Sequence, residues 1–159
     1  FKSIAMITKE YCKNVIICVI IVLFSRERVK MTIRKAESKD IQGIMQLLYQ
    51  VAEVHHKGRP DLFKGGSSKY LPADLEAIIS NEQTPVLVAA DDSGNVLGHA
   101  FCVFKRAGET RVLEDRLTLY IDDICIDEKH RGKHIGTRLC DAVLQLAKNA
   151  GCYNVTLNV

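Results

Sequence analysis

Eighteen residues, Tyr120–Thr137, constrain this chain more than any other stretch; they read YIDDICIDEKHRGKHIGT. The apolar run through Ile121, Ile124, Cys125 and Ile126 has the β-branched bias of a buried strand. From Ile135 the period changes. Ile135, Leu139, Ala142, Val143, Leu146, Ala147 and Ala150 recur every three or four residues, which is the stripe of an amphipathic helix. Between strand and helix lies Arg131-Gly-Lys-His-Ile-Gly136, with no side-chain bulk at Gly132 or Gly136. The amides that open a helix have no partner within it, and its dipole favours an anion there. Two glycines let a phosphate approach the backbone, and Arg131 and Lys133 add positive charge. A phosphate-bearing ligand is the physical expectation.

Spacing alone leaves a second reading open, since a glycine-bearing strand–turn–helix also serves as a plain tight connection. Two familiar phosphate loops are excluded. No Gly-Lys-Ser/Thr follows at Walker spacing, and the three glycines and distal acid of a dinucleotide fingerprint cannot both be placed.

The segment resembles the acetyl-CoA signature of the GNAT N-acetyltransferase superfamily, Gln/Arg-x-x-Gly-x-Gly/Ala after a strand. Arg131 fills the first position and Gly136 the last, while His134 stands where the family has its first glycine. Element order extends the likeness from Met31 to Val159, and Leu119–Ile126 is similar to the matching strand of diamine acetyltransferases. The resemblance implies a mixed α/β (α+β) fold. Its sheet would be mostly antiparallel with one parallel βαβ crossover, and helices would cover both faces. It also implies a further helix and two strands after Val159, carrying an Asn that touches the cofactor and a Tyr that acts as general acid. The chain is therefore expected to be a C-terminally truncated domain.

Acetyl-CoA is the implied cofactor and an amine the implied acceptor. The pantetheine arm is expected along Ile124, Cys125 and Ile126, and the pyrophosphate on the amides of Gly132, Lys133, His134, Ile135, Gly136 and Thr137. Arg131 and Lys133 would act as charge partners. Neutralising a lysine-like amine at pH 7 costs about 4.6 kcal/mol, so a base is needed. Adjacent Asp122 and Asp123 are the candidates, expected on opposite faces of their strand. The diamine enzymes favour Asp122 as base, with burial raising its pKa. Simple pairing of both with Lys or Arg is the structural alternative. A polyamine or other small amine is the first acceptor expected. A protein amine, a drug amine and a CoA-binding module without catalysis are the alternatives.

Charge separates two regions. Residues 1–30 hold six Lys/Arg and two Asp/Glu, a net of +4, which leaves −1 for the rest of a chain whose total is +3. A near-neutral domain argues against a nucleic-acid partner. The ten apolar residues Val15–Phe24 are too few to span a membrane, which needs roughly 20. Residues 1–30 are read as a leader outside the domain and 31–159 as the domain, with a tethering role for Val15–Phe24 kept as an alternative. The six cysteines show no C-x-x-C pair and no metal spacing, so no metal site is expected. Cys102, Cys125 and Cys140 read as buried thiols, and a reducing, cytoplasmic setting follows. A homodimer is left open.

Elsewhere, an apolar stripe predicts a helix over Asp40–Val54 and a second over Pro72–Ser80. The loop between them holds His55 and His56, candidates for contact with the acceptor. A hairpin is expected from Pro85–Ala90 through Asp91–Asn95 to Val96–Phe104. Gly151 should cap the later helix before a last strand, Tyr153–Val159.

Overall fold

The computed structural model describes residues 30–106, 108, 112 and 114–158. The expected leader apart from Lys30, with the run Val15–Phe24 and with Cys12 and Cys18, lies outside them. Among the described residues, no helix is long and apolar enough to cross a membrane.

Five strands form one sheet in the order of the chain: β1 (Met31–Lys35), β2 (Val86–Asp91), β3 (Val96–Arg106), β4 (Leu117–Ile126) and β5 (Asn154–Leu157). Each neighbouring pair is antiparallel except β4 with β5, which run parallel. Parallel strands need a crossover, and here it is α3 (Ile135–Asn149). The helices α1 (Ile41–Gly58) and α2 (Pro72–Ser80) fall between β1 and β2. The mixed fold class read from the sequence is the one observed.

Strand alternation explains why helices cover both faces. In β2, Leu87 and Ala89 face a core with Ile135, Leu139, Val143 and Ala147 of α3. Their neighbours Val86 and Val88 face Ile44, Met45 and Leu48 of α1 and Leu75 of α2. Complete burial of Ile44, Leu75, Leu139 and Val143 contributes about 1.5–3 kcal/mol per side chain.

Local chemistry sets the ends of the elements. Asp40 opens α1 as an almost fully buried carboxylate that accepts from both terminal nitrogens of Arg34, at 2.6 and 2.9 Å, and from the Glu37 amide at 2.8 Å. At the end of α3, Cys152 N donates to Ala147 O and Gly151 N to Lys148 O. With Gly151 at φ +70°, this is the paired-bond glycine stop expected there. Tyr153 N then reaches Leu117 O at 2.8 Å and starts the parallel ladder. The thiols divide otherwise than expected: Cys102 and Cys125 are buried, but Cys140 lies on the exposed side of α3. Burial pushes the Cys102 thiol up to about 12, as suits a packing residue.

Candidate active site

The chemistry gathers where β4 is irregular. Asp123 pairs with Phe101 and Ile121 with Cys102, so Asp122 is an extra residue with no partner on β3. This bulge overturns the expectation of opposite faces. Asp123 Oδ2 lies 3.0 Å from His99 Nε2, and His99 packs edge-on to Phe101 at 5.0 Å. Asp122 Oδ2 accepts from Tyr70 Oη at 2.8 Å, and Tyr70 in turn packs on Phe101. Phe101 belongs to the α1/α2 core. An inserted residue re-aims the side chains beside it, and both carboxylates reach one side of the sheet.

Asp122 also carries an ion pair, with Lys69 Nζ at 2.6 Å from Oδ2. Burial pushes the Asp122 carboxyl up, but hydrogen bonds from Lys69 and Tyr70 and the charges of Lys69 and Lys105 outweigh it. The carboxyl is held below its ordinary range, the reverse of the rise expected for a base. Sequence reasoning passed over Lys69, Tyr70 and His99. The signal for His99 was present, a lone imidazole in the apolar run Val96–Phe104. Lys69 and Tyr70 gave none, because their partner lies more than fifty residues away.

Among the described residues, β4 has a free edge beyond the bulge. Its pairing with β5 runs only from Thr118 with Asn154 to Ile121 with Leu157. Asp127 N donates to Leu97 O at 2.9 Å. Antiparallel alternation then commits the Cys125 backbone to its opposite residue, His99, and turns the N–H and C=O of Ile124 and Ile126 away from β3. Cys125 also aims its thiol at Leu47 O, 3.9 Å away. Of the three residues expected along a pantetheine arm, Ile124 and Ile126 offer that edge. Cys125 faces the other way.

The turn that follows is braced from two sides. Asp127 accepts from Lys129 N at 3.2 Å, from His130 Nδ1 at 2.9 Å and from Gln50 Nε2 at 3.3 Å, while Gln50 Oε1 accepts from Glu128 N at 3.3 Å. Arg131 Nε folds back to Ile126 O at 3.3 Å. Gly132 and His134 both take positive φ, +78° and +59°. A left-handed backbone accounts for the family's glycine at position 134 and strains the histidine that replaces it. Arg138 N is the first amide of α3 to find a helical acceptor, His134 O at 3.1 Å. The amides of His134, Ile135, Gly136 and Thr137 have no acceptor among the described residues.

Gly136 is informative because the fold does not require it. A Cβ there would meet only Ile126 Cγ1, at an ordinary 3.7 Å. Glycine in a helix is destabilising by roughly 0.5–1 kcal/mol relative to alanine, so the open space above Gly136 has another use. Four free amides, that space, and Arg131 and Lys133 beside them fit a pyrophosphate.

His55 and His56 stand apart from this constellation. His55 stacks on Phe63 at 5.0 Å, and His56 Nδ1 lies 2.7 Å from Phe63 O. They clamp the loop after α1 to its helix; the same loop, further on, delivers Lys69 and Tyr70.

The profile of the acetyltransferase (GNAT) family matches residues 42–159, most of the chain. The chain belongs to the GNAT acetyltransferase family. It is an acetyl-CoA-dependent N-acetyltransferase. No curated protein matches the sequence. Among solved structures, this acetyltransferase is similar to a Bacillus halodurans protein crystallised as a point mutant. The two are 28% identical with a TM-score of 0.75, over 80% of this chain and 82% of that one. It shares its fold with the Arabidopsis thaliana glucosamine-6-phosphate N-acetyltransferase, at 21% identity, TM-score 0.62 and 82% of each chain. An aminoglycoside N-acetyltransferase solved in complex with CoA also has this fold, at 16% identity and TM-score 0.59, over 80% of this chain and 78% of that one.

Proposed function

We propose that this acetyltransferase acetylates the primary amine of a small cationic acceptor, a polyamine-like amine ahead of a protein or drug amine, by direct attack on the thioester. The observation that carries the reading is the ionised Asp122 on the β4 bulge, already holding a primary ammonium, that of Lys69, at 2.6 Å. A carboxylate kept anionic by its surroundings is a poor proton acceptor but a good seat for a cation. Asp122 is therefore read as the acceptor's seat, with Lys69 as the resident that the acceptor displaces. Relatives named for aminosugar and aminoglycoside acceptors keep those amines among the acceptors to try.

Acetyl-CoA, when bound, supplies an acetyl carbonyl activated as a thioester. The chain's own groups do the rest. Ile124 and Ile126 offer the strand edge to an amide-bearing arm, and His134–Thr137 offer their amides to phosphate. Arg131 and Lys133 neutralise its charge, and the bulge turns the carboxylates to the face where the amine enters.

Two measurements test this reading. Calorimetry with acetyl-CoA should show binding that Gly136→Trp abolishes. An acceptor screen with spermidine, glucosamine 6-phosphate and a peptide amine should then favour spermidine, and Lys69→Met should lower its KM about tenfold by vacating Asp122. Binding without turnover of any amine, or an unchanged KM in Lys69→Met, overturns the proposal.

A further inference from the structure

His99 is wholly buried, yet neither packing nor hydrogen bonding within the core accounts for an imidazole there. Its neighbours on the adjoining strands are Val88 on β2 and Cys125 on β4. Its ring touches Phe101 edge-on. Nε2 meets Asp123, but Nδ1 is buried without a partner. A leucine or phenylalanine would fill the same space and leave no orphaned nitrogen, so a histidine used only for packing is the worse choice. What the ring adds is one donor, aimed at one carboxylate oxygen. A carboxylate facing Nε2 requires the proton on that nitrogen and leaves Nδ1 as a bare lone pair.

The acceptor end of that bond is as telling. The Asp123 side chain keeps 20% exposure, and among the described residues only Oδ2 is bound, which leaves Oδ1 open. It stands next to Asp122 in the bulge, on the same side of the sheet. The two carboxylates differ in what holds them. Asp122 is neutralised by a lysine ammonium and a tyrosine hydroxyl, whereas Asp123 is steadied by a single ring N–H. Paired carboxylates in unlike surroundings divide labour.

We propose that Asp123 takes the proton from the acceptor amine and that His99 is its positioning residue, fixing Oδ2 through Nε2–H so that Oδ1 faces the ammonium seated on Asp122. This rests on the acceptor seat assigned above. The ammonium gives one proton to Asp123, which returns it to solvent. The nitrogen lone pair forms the N–C bond as the C–S bond breaks; of the two protons left on nitrogen, one ends on the thiol of CoA and the other stays as the amide N–H. The titratable groups around His99 are Asp123 and Cys125 on β4, then Asp122 with Lys69 and Tyr70 beyond. The packed residues of α1 and α2, Ile44, Met45, Leu47, Leu48 and Leu75, carry no charge.

The test compares His99→Phe with His99→Gln in the full chain. The phenyl ring fills the site without a donor, while a glutamine amide reaches about where Nε2 stands. In His99→Phe, kcat for spermidine at pH 7 should fall about tenfold or more. The loss should fall on kcat while the KM for spermidine holds, because the seat on Asp122 is untouched. Acetyl-CoA affinity should hold, and His99→Gln should recover most of the rate. An unchanged kcat in His99→Phe, or a loss that His99→Gln does not recover, overturns the proposal, since restoring a donor does not repair a packing defect. Imidazole ¹⁵N shifts of the unaltered protein provide a reading that needs neither a variant nor turnover. A proton on Nε2 supports the proposal, and a proton on Nδ1 with bare Nε2 towards Asp123 overturns it. Loss of acetyl-CoA binding in the unaltered protein would remove the functional reading instead.

Discussion

The two faces of the sheet do different work. Towards α3, the strands present Met31, Leu87, Ala89, Leu97, Ala100, Cys102, Leu119 and Ile121, apolar without exception and closed by the helix stripe. Towards α1 and α2, the apolar cluster is smaller, and around it sit the buried Asp40 and His99 and the bulged pair Asp122 and Asp123. One face holds the sheet flat against a helix. The other tolerates the buried polar side chains because each meets a partner through at least one atom, with His99 Nδ1 the atom left over, and that tolerance is where chemistry enters. The contrast teaches that stability and activity should separate by face on mutation.

The comparison breaks first at Leu139. Leu139→Ala should lower unfolding free energy by about 2–5 kcal/mol in denaturant titrations, with little pH dependence, because a fully buried side chain leaves a cavity among apolar neighbours. On the other face, Asp40→Asn should cost about 1–3 kcal/mol, and its cost should depend on pH. Burial pushes the Asp40 carboxyl up, yet the hydrogen bonds and charge of Arg34, the Glu37 amide and Lys39 bring it below its ordinary value. A carboxyl with a depressed folded pKa stabilises above its unfolded value, about 3.9, and loses that contribution as pH falls through the folded value. Urea midpoints of the unaltered protein should therefore drop below pH 4, and Asp40→Asn should flatten that slope.

Smaller effects sharpen the contrast. Asp122→Asn should raise the acceptor KM about thirtyfold, roughly the value of a charge-assisted hydrogen bond, while the melting temperature stays nearly constant. Gly136→Ala should stabilise the fold by roughly 0.5–1 kcal/mol and weaken acetyl-CoA about fivefold by calorimetry, since one amide bond is worth about 1 kcal/mol. His134→Gly relieves roughly 1 kcal/mol of left-handed strain but restores comparable freedom to the unfolded chain. A net gain below ~0.5 kcal/mol is expected.

Much of this architecture could be read from local pattern. The strand–turn–helix around Gly132, the stripe from Ile135, the Pro72–Ser80 helix and the glycine stop at Gly151 stand where periodicity and turn chemistry put them. The first helix runs four residues beyond its expected end at Val54, to Gly58, since the apolar stripe fades before the helix does. What stayed hidden is pairing at a distance. No local pattern announces that Asp122 is the surplus residue of a bulge, because the bulge exists only in the register of β4 against β3. Without it, alternation sends Asp122 and Asp123 to opposite faces. Lys69 belongs to a polar loop until folding brings it to Asp122, and with that contact the pKa expectation reverses. His99 had a visible oddity but no visible partner.

The brace at Gln50 has a mechanical meaning. This one side chain of α1 holds both Asp127 and Glu128, at the root of the turn that precedes the free amides. Less than two helical turns further on, His55 and His56 of the same helix grip the loop that carries Lys69 and Tyr70. The helix is thus a rod with two fixtures, one at its middle on the turn and one near its C-terminal end on the loop. Movement of the turn or of the loop therefore has to be taken up by the same helix.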